Sequence, residues 1–172
     1  MMNPYLESFT KEELMDLIEI YSKNWLAMDG LWFQRFEKTH GMDEAMDNDC
    51  KVWEDFTVIE ANKIKKFLSL PERSGFDGLE KALKLRFYAN FSKDEIIRTE
   101  DSLIYRMLEC RVQHARERKG MDFHPCKPVG IIEYGDFAKT IDDRFECECL
   151  SCFPDVRDKS CHCAWEFKLR EA

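Results

Sequence analysis

The apolar residues of this chain change period part-way along, and that change limits the folds open to it. Up to about residue 90 they recur every three or four positions, and in the second half they alternate in runs with a period of two. Thr10 followed by Glu13 makes a capping box, and Leu14, Leu17, Ile18, Tyr21, Trp25 and Met28 continue at helical spacing, which predicts a helix over 11–28. Asp29-Gly30 is expected to interrupt it, with a short second helix through Leu31, Trp32 and Phe36 ending at Gly41, a C-cap glycine. From Asp43 the stripe Met46, Cys50, Trp53, Phe56, Ile59, Ile64 and Phe67 predicts a third helix that Pro71 stops. Asp77 with Glu80 opens a fourth, to about Asn90.

Beyond Phe91 the texture differs. Glu95 to Thr99 and Leu103 to Leu108 are β-rich runs around Glu100-Asp101-Ser102 and read as a hairpin. Val112 to Lys119 is a short helix with Gly120 beyond it, and Pro128 suits the first turn of another that reaches Ile141. At the end Phe145, Cys147 and Cys149 alternate with polar neighbours, as do Cys161, Cys163, Trp165, Phe167 and Leu169. Two strands follow, and with Ser151 to Ser160 as the loop, antiparallel pairing brings Cys149 near Cys161 or Cys163. The expected fold is α+β, N-terminal helices packed on a small C-terminal antiparallel sheet. Residues 1–92 form the helical part and 93–172 the cysteine-rich part of one continuous domain, a size that supports a single core.

Charge and composition exclude several functions. Lys and Arg number 26 against 34 Asp and Glu, a net charge of -8 with the wrong sign for phosphate backbones, so no nucleic-acid partner is expected. No run approaches the roughly 18 uncharged apolar residues of a membrane span, so no membrane partner is expected either. The stretch from Met1 to Ser8 carries acid by its seventh residue, with no apolar run of signal-peptide length behind it, and the expected location is the cytoplasm. There the 8 cysteines are thiols or metal thiolates.

Those cysteines are the main chemical clue. Cys147, Cys149 and Cys152 form C-x-C-x-x-C, and Cys161-His162-Cys163 lies nine residues on. Cys149 and Cys152 make one zinc knuckle, but Cys161 with Cys163 is too tight for a standard second one, so Cys110 and Cys126 would complete a site from a distance. The expected metal set is Cys110, Cys126, Cys149, Cys152 and Cys163, with zinc as the cofactor; the plainer reading makes inward-facing cysteines small hydrophobes. For catalysis Cys126 is the candidate nucleophile, in a loop beside Lys127 with His124 two residues earlier. Glu60 falls on the apolar stripe of the third helix, where a carboxylate needs a partner: an arginine such as Arg35, or a ligand. Glu37-Lys38-Thr39-His40 matches the Glu-x-x-His of di-iron bundles, but those use the motif twice and here it occurs once.

Separate blocks in order carry a resemblance. They are Asn24 to Phe33, Glu60-Ala61 with Ile64, Cys110-Arg111-Val112-Gln113, Pro125-Cys126-Lys127 with Val129-Gly130, Cys149-Leu150-Ser151-Cys152 with Pro154-Asp155, and Cys163-Ala164-Trp165. Over nearly the whole chain this resembles an uncharacterised family of prokaryotic cytosolic proteins. The C-terminal half is more weakly similar to the L-2-amino-thiazoline-4-carboxylic acid hydrolase family and to 4-vinyl reductase domains. Cys147 and Cys161 lie outside the pattern, and Phe153 stands where it has proline. The resemblance implies an α+β fold with a ligand pocket between helices and sheet. Three functions follow: a small-ligand or metal-binding protein, which is favoured; a cysteine-dependent hydrolase of cyclic amidines or thiazolines; and a dimeric interaction protein. In the hydrolase His124 or His114 would be the base, and Glu60, Arg111 and Asp29 are the candidate ligand-binding residues.

Overall fold

The computed structural model describes residues 3–170. A 3-10 turn over Pro4–Ser8 leads into α1 (Lys11–His40), α2 (Met42–Phe67) and α3 (Gly75–Leu83), then a second 3-10 turn over Phe87–Asn90. The hairpin β1 (Lys93–Arg98) and β2 (Ser102–Glu109) follows, then α4 (Arg111–Arg118), α5 (Lys127–Ile141), β3 (Phe145–Cys152) and β4 (Cys163–Leu169). The fold is α+β, mostly N-terminal helices and a four-stranded antiparallel sheet ordered β1-β2-β4-β3.

The helical half departs from the periodicity in two places. Asp29-Gly30 does not break the first helix, and α1 runs unbroken for 30 residues. A mid-helix glycine costs only about 1 kcal/mol, and the packing of Trp25 and Phe33 on either side offsets it: Trp25 stacks on Phe56 at 4.9 Å and Phe33 lies 4.6 Å from His124. The chain turns instead at Gly41, whose φ of 89° is the left-handed region that glycine enters without strain. The fourth helix begins at Gly75, not Asp77, and stops at Leu83 rather than near Asn90. Arg86 adopts extended backbone there and turns its side chain into the interior.

The sheet presents one face to the helices. Leu103, Tyr105 and Met107 on β2 lie opposite Phe167, Trp165 and Cys163 on β4, and Phe145 joins them from β3. Tyr134, Phe137, Ala138 and Ile141 of α5 close over this face, with Ala61 and Ile64 of α2 and Leu79, Ala82 and Leu83 of α3. Burying each large side chain contributes about 1.5–3 kcal/mol. Gly130 lets α5 lie against Trp165, since a Cβ there would come 2.4 Å from the indole. A smaller aromatic cluster of Trp53, Phe56, Phe87 and Trp25 joins α1 to α2.

The terminal strands pair differently from the expectation. β3 continues through Cys152, and a bulge between Cys149 and Ser151 shifts the register. Cys149 therefore faces Trp165, not Cys161 or Cys163, and Cys152 is the partner of Cys163. The extra residue keeps Cys152 on the helix-facing side with Cys147 and Cys149, where strict alternation would have turned it outward.

Candidate functional site

Between α1, α2, the start of α5 and the sheet lies a cavity of about 430 Å³. Its aromatic walls are Phe33, Trp53, Tyr88, Tyr134 and Trp165; its acids are Asp29, Asp49 and Glu133; and Cys110, Cys126, Cys152 and Cys163 line it too. The strand register explains why the thiols converge. Cys152 and Cys163 are cross-strand partners, Cys110 follows the end of β2 next to them, and Cys126 is the N-cap residue of α5, which packs over that sheet face.

Around Cys126 the groups are ordered. His124 Nδ1 lies 3.2 Å from Cys126 Sγ, and His124 Nε2 lies 3.4 Å from Asp49 Oδ2. Gln113 fixes the loop: its Oε1 accepts from His124 N at 3.0 Å, and its Nε2 donates to His124 O at 2.8 Å and reaches Cys126 Sγ at 3.2 Å. The three groups stand in a row along the cavity wall: the Cys126 thiol, the His124 imidazole and the Asp49 carboxylate.

The cavity holds charge back. Burial pushes the Cys126 thiol well above its ordinary range, and the nearby thiols of Cys110 and Cys163 add to it. Burial raises Cys110 to about 11, while contact with Cys152, then burial, raises Cys163. Burial first, then the charge of Asp49, lifts Asp29 to about 6. Glu133 is raised to about 7 by burial, against the pull of Arg86. That guanidinium, only 3% exposed, sits behind the aromatic wall, 2.8 Å from Glu133 and 2.9 Å from Glu60, over the rings of Phe137 and Tyr134. The Nε1 of Trp165 is buried without a hydrogen-bond partner.

The candidate residues of the sequence divide accordingly. Cys126 and His124 come together, and Asp29 and Arg111 line the same cavity. Glu60 does not line it. Its partner is Arg86, with Phe87 N at 3.2 Å, whereas Arg35 points to solvent from α1. His114 does not line the cavity either, and its Nε2 faces His162 Nε2 at 3.3 Å. Of the expected thiolate set, Cys110, Cys126, Cys152 and Cys163 reach the cavity and Cys149 does not. Among the described residues no three His, Cys, Asp or Glu side chains are gathered to hold a metal ion. Glu37 is spent on Arg116, which it grips through both oxygens at 2.7 Å. Asp49, Gln113 and Glu133 were not foreseen. Asp49 is one acid among several on α2 with nothing in its spacing to mark it; Gln113 stood in a noticed block, but nothing there says that it would clamp a loop eleven residues on.

Among the described residues no helix is long and apolar enough to cross a membrane. No curated protein matches the chain. A family model does, over residues 7–169, so the chain that folds this cavity belongs to a family of unknown function, DUF6125.

Proposed function

We propose that the cavity binds a small molecule and that Cys126 attacks it, making the protein a cysteine-dependent hydrolase of an amide- or amidine-like carbon. The observation that carries this reading is the line Cys126 Sγ, His124, Asp49, with spacings of 3.2 and 3.4 Å, set into the wall of an apolar cavity. The thiol rests protonated, since burial raises it. The reaction therefore begins with proton transfer as the sulfur adds: the S–H proton moves to His124 Nδ1 and an S–C bond forms. Asp49 stabilises the imidazolium through Nε2. Cys126 also stands at the N-terminus of the 15-residue α5, whose dipole favours developing negative charge on sulfur. The leaving nitrogen or sulfur departs with the proton from Nδ1. Water then gives a proton to Nδ1 and its hydroxide to the carbon, the C–S bond breaks, and the proton returns to sulfur. Gln113 Nε2, 3.2 Å from Sγ, holds the thiol in place beside His124. Asp29 and the exposed Arg111 offer opposite charges for orienting a polar substrate. In the reducing cytosol that the sequence suggests, the nucleophile would stay a free thiol.

The test uses p-nitrophenyl acetate as a generic acyl donor. The expected result is a burst of about one nitrophenolate per chain with an acetyl group mapped to Cys126, absent in Cys126→Ser and slowed at least about tenfold in His124→Gln, the loss expected of a missing general base. An acetyl group on other cysteines only, or a burst indifferent to His124→Gln, overturns the reading.

A further inference from the structure

α1 is unusual among the helices in what it leaves uncovered. Of its 30 residues only Ser22 is buried, while Tyr21, Met28 and Trp32 are 63%, 60% and 71% exposed. At about 100° per residue, Trp25, Asp29 and Phe33 share the flank that meets the body and the cavity. A second flank, about 100° wide, carries Glu13, Leu17, Tyr21, Asn24, Met28, Trp32 and Arg35. Leu17, Tyr21, Asn24, Met28, Leu31 and Arg35 step alternately by four and three, the seam spacing of a coiled coil.

That seam reads the same from both ends. With Asn24 on a two-fold axis and a second helix running antiparallel, Tyr21 meets Met28 of the second copy, Leu17 meets Leu31 and Trp32, and Glu13 meets Arg35. The surrounding charges agree: Glu12, Glu13 and Asp16 outweigh Lys11 in the first turns, Glu19 being paired with Lys23, while Arg35 and Lys38 stand exposed in the C-terminal half, where Glu37 is taken by Arg116. A parallel copy would set like charge against like and stack the helix dipoles head to head; an antiparallel one opposes acid to base at both ends and carbonyl end to amide end. We infer that α1 is the interface of an isologous dimer, in which two copies of the helix pack antiparallel about Asn24 through Leu17, Tyr21, Met28, Leu31 and Trp32. The occupant is a second copy because the seam complements itself, with each Glu13–Arg35 contact occurring twice. This rests on the surface of α1 alone and is independent of the chemistry at Cys126.

Sedimentation equilibrium of the full chain tests it. The expected result is a dimer at concentrations of about 10 μM and above, weakened at least about tenfold by Trp32→Glu and by Tyr21→Glu. Both side chains are exposed, so far-UV circular dichroism should be unchanged. Glu13→Gln, which keeps the capping box at Thr10, and Arg35→Gln should each weaken the dimer, and the double variant should weaken it by less than the sum of the two, a coupling that no surface unrelated to this pairing would give. A monomer at about 100 μM, a dimer indifferent to Trp32→Glu, or a Glu13→Gln and Arg35→Gln double variant whose loss is the full sum of the two overturns the inference.

Discussion

The two ends of α5 treat charge in opposite ways. At its C-terminus Asp142, fully buried, accepts from Gly75 N at 2.9 Å and from the Nε and Nη2 of Arg144 at 3.0 and 2.7 Å. Those bonds, led by Arg144, hold its carboxyl down to about 2. Toward its N-terminus the same helix presents Cys126 and Glu133 to the cavity, where burial raises both. One end satisfies its polar groups and locks α5 to α3 and the start of β3. The other buries a thiol and a carboxyl beside a hole, which costs stability and is where reactive groups are usually found.

Four substitutions would break or sharpen that contrast. The largest effect should come from Arg86→Met, which strands Glu60 and Glu133 in the interior: about 3–5 kcal/mol lost in urea unfolding at neutral pH, and less loss in acid, where Glu133 takes up a proton. A destabilisation that does not vary with pH would mean that the two carboxylates are not the source. Next, Asp142→Ala should lose about 3 kcal/mol near pH 7. Because the folded-state value lies below the ordinary 3.8, this carboxylate contributes its stability above about pH 4 and loses it as pH falls through 2, so wild type and variant should converge in acid. Gly130→Ala should cost about 1–3 kcal/mol by driving a methyl into Trp165, and near-ultraviolet circular dichroism would report the displaced indole. The last effect has the opposite sign. Asp29 is raised from 3.8 to about 6, so the folded state keeps a proton that the unfolded chain has released, and folding is penalised increasingly across that interval and constantly above it. Asp29→Asn should therefore stabilise by about 2–3 kcal/mol at pH 8 and by nothing at pH 3, and equal Tm shifts at both would contradict the assignment.

Legibility in the sequence followed the range of the interactions. Hairpin β1–β2, α4 and α5 lie close to where periodicity and turn residues put them, because a strand's alternation and a proline in a helix's first turn are decided within a few residues. The capping box at Thr10 is present with both of its bonds. Asp29-Gly30 misled because a local break signal was outweighed by the packing of Trp25 and Phe33 on distant side chains. Asp77-Glu80 misled because the helix had already begun at Gly75, whose amide is held by Asp142 from 67 residues away. At the site, His124 with Cys126 could be noticed because they are neighbours in the chain. Asp49, Gln113 and Glu133 join them only through the docking of α2, α4 and α5.

The sequence by itself determined the helical first half, the strands, α4, α5 and the two-residue spacing of His124 and Cys126, since hydrophobic period, caps and turns act over one or two turns of chain. Only the tertiary structure decided that Asp49 stands behind His124, that Arg86 rather than Arg35 meets Glu60, and that a one-residue bulge sets Cys152 rather than Cys149 opposite Cys163. These depend on which surfaces pack and in what register, and a buried charge or a strand face is assigned only when the distant partner arrives.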